Sequence, residues 1–177
     1  MSRARTVAGL VAAVLLQVAV LVGMQVGAAL PLWTGETVRV ATVPVDPRSL
    51  FRGNYAILRY DTDAAAETLS PDWDALRHGE VVYLSLVPGG EGLHVWTDAA
   101  LAPPETGLFV RGRIDHQRSR GADEPPGITL PNIEAFFAPK ATALRLEREL
   151  RAGGVAVISV TANGAAALRD VETRLTR

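Results

Sequence analysis

Two arginines four residues apart are the side chains in this sequence best suited to chemistry. Arg48 and Arg52 lie in the stretch VDPRSLFRGNYAILRY, residues 45–60, where a proline follows Asp46 and a glycine precedes Asn54. An Asp-Pro pair starts a helical turn and a glycine ends one, so the two arginines are predicted to share a face. A guanidinium presents a planar fork of donors, which suits a carboxylate or phosphate group. The stretch is therefore a candidate anion-binding site.

Three further residues complete the candidate ligand site. Tyr55 and Tyr60 lie in a strand predicted directly after the arginines, and Glu134 lies in a later strand-like segment. The two-residue period of a strand predicts that Leu58 and Tyr60 share one face while Arg59 points the other way. The alternative interpretation is structural, with the arginines paired to acidic groups or carbonyls of the fold and Glu134 paired to an arginine.

Other kinds of active site lack their residue patterns. The sequence contains no cysteine, which removes disulfides, thiolate catalysis and Cys-ligated metals. Lys140, the single lysine, has no serine-nucleophile motif to accompany it, so a Ser-Lys dyad is not supported. The histidines, His78, His94 and His116, do not have metal-ligand spacing. We therefore expect no metal and no cofactor, and we favour a non-catalytic role over an enzymatic one.

The elements that must position these residues begin with a long apolar segment. From Val7 to Leu32 the chain carries no charged residue, and Arg3 and Arg5 precede it. As a helix it is roughly 36 Å or more long, enough to cross a bilayer core of about 30 Å. The apolar region of a signal peptide is usually about 7–15 residues, so we expect an uncleaved anchor, although VGAA could serve as a cleavage site. The leading arginines place the N-terminus in the cytoplasm.

The sequence thus predicts a single-pass protein of the inner membrane that has two parts. Residues 1–34 form a transmembrane anchor with a short cytoplasmic tail, and residues 35–177 form an exported β-rich domain. Ala19, Gly23 and Gly27 are four residues apart and form a row of small residues, which lets another helix approach closely. We expect this row to pack against a membrane protein partner or a second copy. The net charge of -1 gives no reason to expect nucleic acid.

Beyond the anchor the pattern is mainly β. About eight strands are predicted, in segments 37–43, 55–60, 80–87, 93–97, 107–114, 128–137, 155–160 and 165–171. The last two are joined through Asn163-Gly164, a strong hairpin signal, and Pro131 interrupts the sixth. The polar stretch 116–127 predicts a loop, segment 141–151 a helix and segment 70–79 a second, short helix. The fold class is therefore an antiparallel sandwich or a partly closed barrel with one or two short helices.

At GNYAILRY, residues 53–60, preceded by PVDPRSLFR, the sequence resembles the GDYXXLXY proteins, bacterial membrane-anchored proteins of uncharacterised function. The resemblance continues through GEVVYLSLV, VRGRI and NIEAFFAP. It implies an anchored, exported β domain of the bacterial envelope, and it implies no activity. Asn54 stands where the family has Asp, and Lys140 stands where an acidic residue commonly follows the proline. Asn keeps the turn chemistry of Asp, so we interpret DPRSLFRGNY chiefly as a structural turn that presents the arginines.

Two classes of function follow from these observations. The favoured one is a non-catalytic, membrane-anchored extracytoplasmic β module that acts with a membrane protein partner. The alternative is an envelope hydrolase or an anionic-ligand sensor that uses Arg48, Arg52 and Glu134. Arginines that point into a concave pocket beside Glu134 favour the alternative, and arginines paired on a flat surface favour the first class.

Overall fold

The β strands follow the alternation of the sequence. The computed structural model describes residues 3–43, 55–69, 75–118, 125–137 and 153–173. In this part of the chain the strands are β1 (Glu36–Thr42), β2 (Tyr55–Ile57), β3 (Val81–Pro88), β4 (His94–Ala100), β5 (Leu108–Asp115), β6 (Gly127–Thr129), β7 (Ala135–Phe137), β8 (Gly154–Val160) and β9 (Ala166–Thr173). The predicted helix at 141–151 and the first half of the one at 70–79 lie outside the described residues, and residues 75–79 form no α-helix.

Seven of these strands form one sheet with the order β6-β5-β3-β4-β1-β8-β9, and β2 pairs with β7 in a small second sheet. Strands β1 and β4 are parallel neighbours through Val40 and His94, while the other strand pairs are antiparallel. The large sheet curls into a half-barrel, which confirms the predicted mainly β class and its partly closed barrel form.

The turn between β8 and β9 contacts β5, which lies toward the other side of the curled sheet. The amide of Arg111 on β5 donates to the carbonyl of Gly164 at 2.9 Å. Gly164 has a φ of 77°, and a Cβ at this position would lie 2.5 Å from the ring of Phe109. Only a glycine satisfies both conditions, because a positive φ strains other residues and the ring leaves no room for a side chain. The predicted Asn-Gly hairpin therefore also joins the two sides of the curled sheet.

The core lies inside the curl and is built by every second residue of the long strands. On β3 the inward side chains are Val82, Leu84 and Leu86, all buried. The short helix α2, Asp63–Ala66, adds two buried alanines. The segment predicted as one interrupted strand at 128–137 consists of β6, a turn and β7. Its turn places Leu130 and Ile133 in the core as well.

Helix α1, Arg3–Thr34, precedes the sheet. Its stretch Val7–Thr34 is long and apolar enough to cross a membrane, a property that membrane anchors share with signal sequences. Residues 7–28 are exposed, but the last turn is attached to the sheet. Pro31 is buried, and its carbonyl accepts hydrogen bonds from the amide of Gly35 at 3.0 Å and from Ser159 Oγ at 2.6 Å. Arg169 of β9 donates to the carbonyl of Leu32.

Candidate functional site

The strand after the predicted arginine turn leads directly into an open cleft of about 890 Å³, which we call the first cleft. After β2 ends, the chain stays fixed on both sides. The amide of Leu58 donates to the carbonyl of Glu134 at 2.8 Å, and the amide of Val43 donates to the carbonyl of Arg59 at 3.0 Å. The charged residues of the lining are Arg59, Asp61, Asp63, Glu67, Arg118 and Glu134. The first cleft therefore carries charges of both signs.

Glu134 is fully engaged at the edge of this cleft. Its Oε1 accepts hydrogen bonds from Arg118 Nη1 at 2.9 Å and from the amide of Leu130 at 2.9 Å. Its Oε2 accepts one from Arg118 Nη2 at 3.0 Å. A two-pronged arginine–carboxylate pair fixes direction as well as distance. The carboxylate therefore closes the 130–134 turn and joins it to the segment that carries Arg118.

A second carboxylate holds Arg118 from its other side. Arg118 Nε lies 3.3 Å from Asp115 Oδ2, at the end of β5. Asp115 Oδ1 accepts a hydrogen bond from the amide of Gln117 at 3.0 Å, and it lies 3.7 Å from Nδ1 of His78. The guanidinium is thus shared between two acidic residues that come from different elements. This arrangement neutralises Arg118 within the protein.

Tyr60 lies beneath the same cleft and is almost completely buried. Its hydroxyl donates to the carbonyl of Ile133 at 2.7 Å. Its ring meets Trp96 edge to face, with ring centroids 6.0 Å apart and planes at 77°. Burial raises the pKa of the phenol well above its ordinary value, and the negative charge of Glu134 raises it further. Tyr60 is therefore a neutral hydrogen-bond donor that secures the 130–134 turn.

A smaller cleft of about 360 Å³, the second cleft, lies where the curled sheet closes. It lies between β5, the 130–133 segment and the turn that contains Gly164. Its polar lining side chains include Tyr83, Arg111, Arg113 and Asn132. Among the lining residues that the structure describes, none is acidic, in contrast to the first cleft.

A family model described as GDYXXLXY protein matches residues 17–171 of the chain. The chain belongs to the GDYXXLXY family. No curated protein matches it, and no solved structure does. The GDYXXLXY match begins inside α1 and ends in β9, so it covers the last part of the apolar helix together with the half-barrel.

The letters of the GDYXXLXY motif correspond to Gly53 through Tyr60, with Asn54 in the place of Asp. Its last two fixed positions, Leu58 and Tyr60, are both buried in the core. Arg59 between them is exposed, as the two-residue period predicts. The described end of the motif therefore contributes to packing and to the hydrogen bond that holds the 130–134 turn.

The structure brings together part of the predicted ligand site. Tyr60 and Glu134 both border the first cleft, and the hydroxyl of Tyr60 is bonded to the carbonyl next to Glu134. Tyr55 pairs with Phe137 through the backbones of β2 and β7. Arg48 and Arg52 lie outside the described residues, together with Asn54 and Lys140. The binding role of Arg48 and Arg52 stays a prediction.

Sequence reasoning missed the arginine that Glu134 contacts. Arg118 lies in the polar stretch predicted as a loop, and residues His116–Arg118 form a short 3-10 turn there. Sixteen residues separate it from Glu134, a spacing that no local periodicity reports. Within the described residues, no group of three or more His, Asp or Glu side chains is placed to hold a metal ion. Ala19, Gly23 and Gly27 lie in the exposed part of α1.

Proposed function

We propose that this GDYXXLXY protein is a non-catalytic β module, anchored by α1 in the inner membrane of a bacterium, that acts outside the cytoplasm with a membrane protein partner. Residues 1–34 form the anchor and residues 35–177 form the exported domain. One observation carries the proposal: α1 is a long apolar helix whose side chains stay exposed, while its last turn is bonded to the sheet.

The exposed length of α1 supports a lipid environment. A helix with apolar side chains on all sides is stable in water only when other elements bury it. Residues 7–28 of the membrane-length stretch Val7–Thr34 are all left exposed by the rest of the chain. A bilayer covers such a helix, and its length matches the bilayer core. We therefore infer that lipid and another transmembrane helix surround the apolar side chains of α1.

The last turn of α1 supports a retained anchor over a cleaved signal peptide. Pro31 is buried, and Ser159 Oγ of β8 donates to its carbonyl at 2.6 Å. The last carbonyls of a helix lack partners within it; Arg169 supplies a donor to the carbonyl of Leu32, and Ser159 adds a second donor to that of Pro31. Cleavage near Ala28 would leave this turn as a free terminus, without the helix that precedes it.

The state of Glu134 supports a structural role for the residue that the hydrolase alternative requires. A general base or nucleophile needs a carboxylate that can reach a substrate proton or atom. Glu134 instead accepts three hydrogen bonds from Arg118 and Leu130. Tyr60, its neighbour, keeps its proton through burial, because its pKa is raised. These contacts favour the non-catalytic module over an envelope hydrolase.

Topology is tested by fusions and by N-terminal sequencing. A reporter that is active only outside the cytoplasm, fused after Arg177, should be active, and a cytoplasmic reporter at the same position should be silent. The mature chain should keep the residues that precede Val7. A mature N-terminus near Ala28 or Ala29 would show that α1 is a signal peptide, and the anchor would then be rejected.

Association is tested on the small-residue row of α1. Gly23→Leu and Gly27→Leu should weaken crosslinking to a membrane protein, or to a second copy, because a larger side chain keeps a neighbouring helix away. Neither glycine has an atom within 4 Å of the position of an added Cβ, so the β domain should fold normally. Ala28→Leu, about 140° around the helix from Gly23 at the centre of the row, is the matched control and should leave crosslinking unchanged. Equal crosslinking of all three variants would reject a role for the row.

A further inference from the structure

The second cleft has an unbalanced charge. Arg111 and Arg113 both line it, and no Asp or Glu is found among its described lining residues. Two residues apart on β5, the arginines lie on the same face of the strand, and both are exposed. Two like charges so close together repel each other, and the lining contains no opposite charge to compensate. An anion in the cleft would remove this repulsion.

Arg111 has its guanidinium available. In the described part of the chain no ion pair or side-chain hydrogen bond involves Arg111; only its backbone amide is bonded, to the carbonyl of Gly164. Arg113 differs, because its Nη1 donates to the carbonyl of Gly79 at 2.8 Å. The bond to one carbonyl fixes the Arg113 side chain without neutralising it. Arg111 is thus placed to bind a ligand, and Arg113 to add a fixed positive charge.

The walls of the second cleft are held by backbone bonds, so the cleft exists without a ligand. The amide of Arg111 donates to the carbonyl of Gly164 at 2.9 Å, which fixes one wall. The amide of Ile133 donates to the carbonyl of Leu130 at 3.0 Å, which closes the turn of the other wall. The volume of about 360 Å³ lies in the range of small-molecule sites, roughly 300–1,000 Å³.

We propose that the second cleft binds a small ligand through its carboxylate or phosphate group, with Arg111 as the principal contact. A guanidinium donates two parallel hydrogen bonds to either group, which gives direction as well as attraction. Asn132 and Tyr83 border the same space and offer an amide and a hydroxyl to the rest of the ligand. The site differs from the predicted one at Arg48 and Arg52, and it goes beyond the role of a membrane-anchored module.

The first cleft provides a matched control within the same molecule. Arg59 is also an exposed arginine that lines a cleft, but Asp61, Asp63 and Glu67 line that cleft with it. Arg59→Gln and Arg111→Gln remove the same charge from the protein. A non-specific effect of net charge on anion binding is therefore equal in the two variants.

The experiment uses the full chain in a zwitterionic detergent at low ionic strength. Inorganic phosphate and succinate are the probes. The rise in Tm reports the binding of either probe, and the broadening of the phosphorus NMR signal of inorganic phosphate reports phosphate binding directly. We expect both probes to bind the parent and Arg59→Gln alike. The affinity of Arg111→Gln for each probe should be at least roughly tenfold lower than that of the parent. Arg111→Lys should have an intermediate affinity, since it keeps the charge and loses the planar fork of donors.

Three results would overturn the proposal. They are no binding of either probe to the parent, equal weakening by Arg59→Gln and Arg111→Gln, and weakening by Arg59→Gln alone. Nanodiscs then identify the source of the anionic group. If the natural ligand is a soluble anion, phosphatidylglycerol weakens phosphate binding only through its surface charge, and by the same factor in the parent and in Arg111→Gln. If it is a lipid headgroup, phosphatidylglycerol reduces phosphate binding to the parent, and this competition disappears in Arg111→Gln.

Discussion

In the first cleft Arg118 donates two hydrogen bonds to Glu134 and lies beside Asp115, whereas in the second cleft Arg111 extends from the adjacent part of β5 without an ion pair in the described part of the chain. Arg111 on β5 and Arg118 in the turn that follows β5 thus carry the same guanidinium group but have different roles. Where carboxylates surround an arginine, the arginine joins segments of the fold. Where no carboxylate is among the described lining residues, as at Arg111, the donors of the guanidinium remain available to a ligand.

The two clefts should therefore differ in how substitutions change stability and ligand binding, and substitutions in either cleft test this. Changes of Glu134 and Tyr60 in the first cleft should lower the free energy of unfolding. Changes of the second cleft's arginine should leave that free energy nearly unchanged, while changes of its backbone wall should be costly.

The largest effect is expected for Gly164→Ala, in the wall of the second cleft. The added Cβ would lie 2.5 Å from the ring of Phe109, at a φ of 77°. Strain at positive φ and the displacement of a packed ring together should lower the free energy of unfolding by about 2–4 kcal/mol. Urea unfolding monitored by circular dichroism measures this. Ala162→Gly, in the same turn, is the control, and equal losses in both variants would show that the ring contact is unimportant.

A smaller loss is expected for Glu134→Ala in the first cleft. The change removes three hydrogen bonds and leaves Arg118 without its main partner. Because the side chains are 16% and 37% exposed, the expected loss is about 2 kcal/mol, between the costs of breaking a buried and an exposed pair. Glu134→Gln keeps an acceptor for the Leu130 amide and should lose about half as much. A loss below about 0.5 kcal/mol for Glu134→Ala would contradict a structural role for the first cleft.

Tyr60→Phe should cost about 1 kcal/mol near neutral pH, because the carbonyl of Ile133 loses its donor. It should also change the dependence of stability on alkaline pH. The pKa of Tyr60 is raised in the folded state, so the unfolded chain loses its phenolic proton first, near the ordinary value of about 10. The parent should therefore lose up to about 1.4 kcal/mol per pH unit above about pH 10 from this group.

Unfolding in urea between about pH 8 and about pH 11 tests the alkaline effect. The parent and Tyr60→Phe share every other titrating group, so the difference between their slopes belongs to Tyr60. Parallel slopes would show that the phenol is accessible to water in the folded state.

The smallest effect is expected for Arg111→Gln in the absence of a ligand. The side chain is exposed and makes no ion pair in the described residues, so the change in unfolding free energy should stay within about 0.5 kcal/mol. Thermal unfolding of the variant beside Arg59→Gln measures it. A loss above about 1 kcal/mol would mean that Arg111 serves the fold, as Arg118 does.

Local signals predicted most of the strands, because alternation and turn residues act over a few positions. The β8–β9 hairpin was predicted from Asn163-Gly164, and Gly164 adopts the positive φ that such a turn uses. The parallel contact between Val40 and His94 was not predicted, since no local pattern reports which distant strand becomes a neighbour. The Arg118–Glu134 pair was missed for the same reason. The second cleft was missed because it forms only where the sheet curls onto its own hairpin.

The position of β1 has a consequence for how the protein is made. This strand follows α1 directly, and its long antiparallel partner is β8, whose first residue is Gly154. More than about a hundred residues must therefore be synthesised after β1 before its main ladder of backbone bonds can close, and such distant pairing is slow. During that time an apolar strand edge is open to other chains, which is a known route to aggregation. Chains that stop before Gly154 lack the strand that covers this edge, so β8, near the C-terminus, completes the folding of the first strand to emerge.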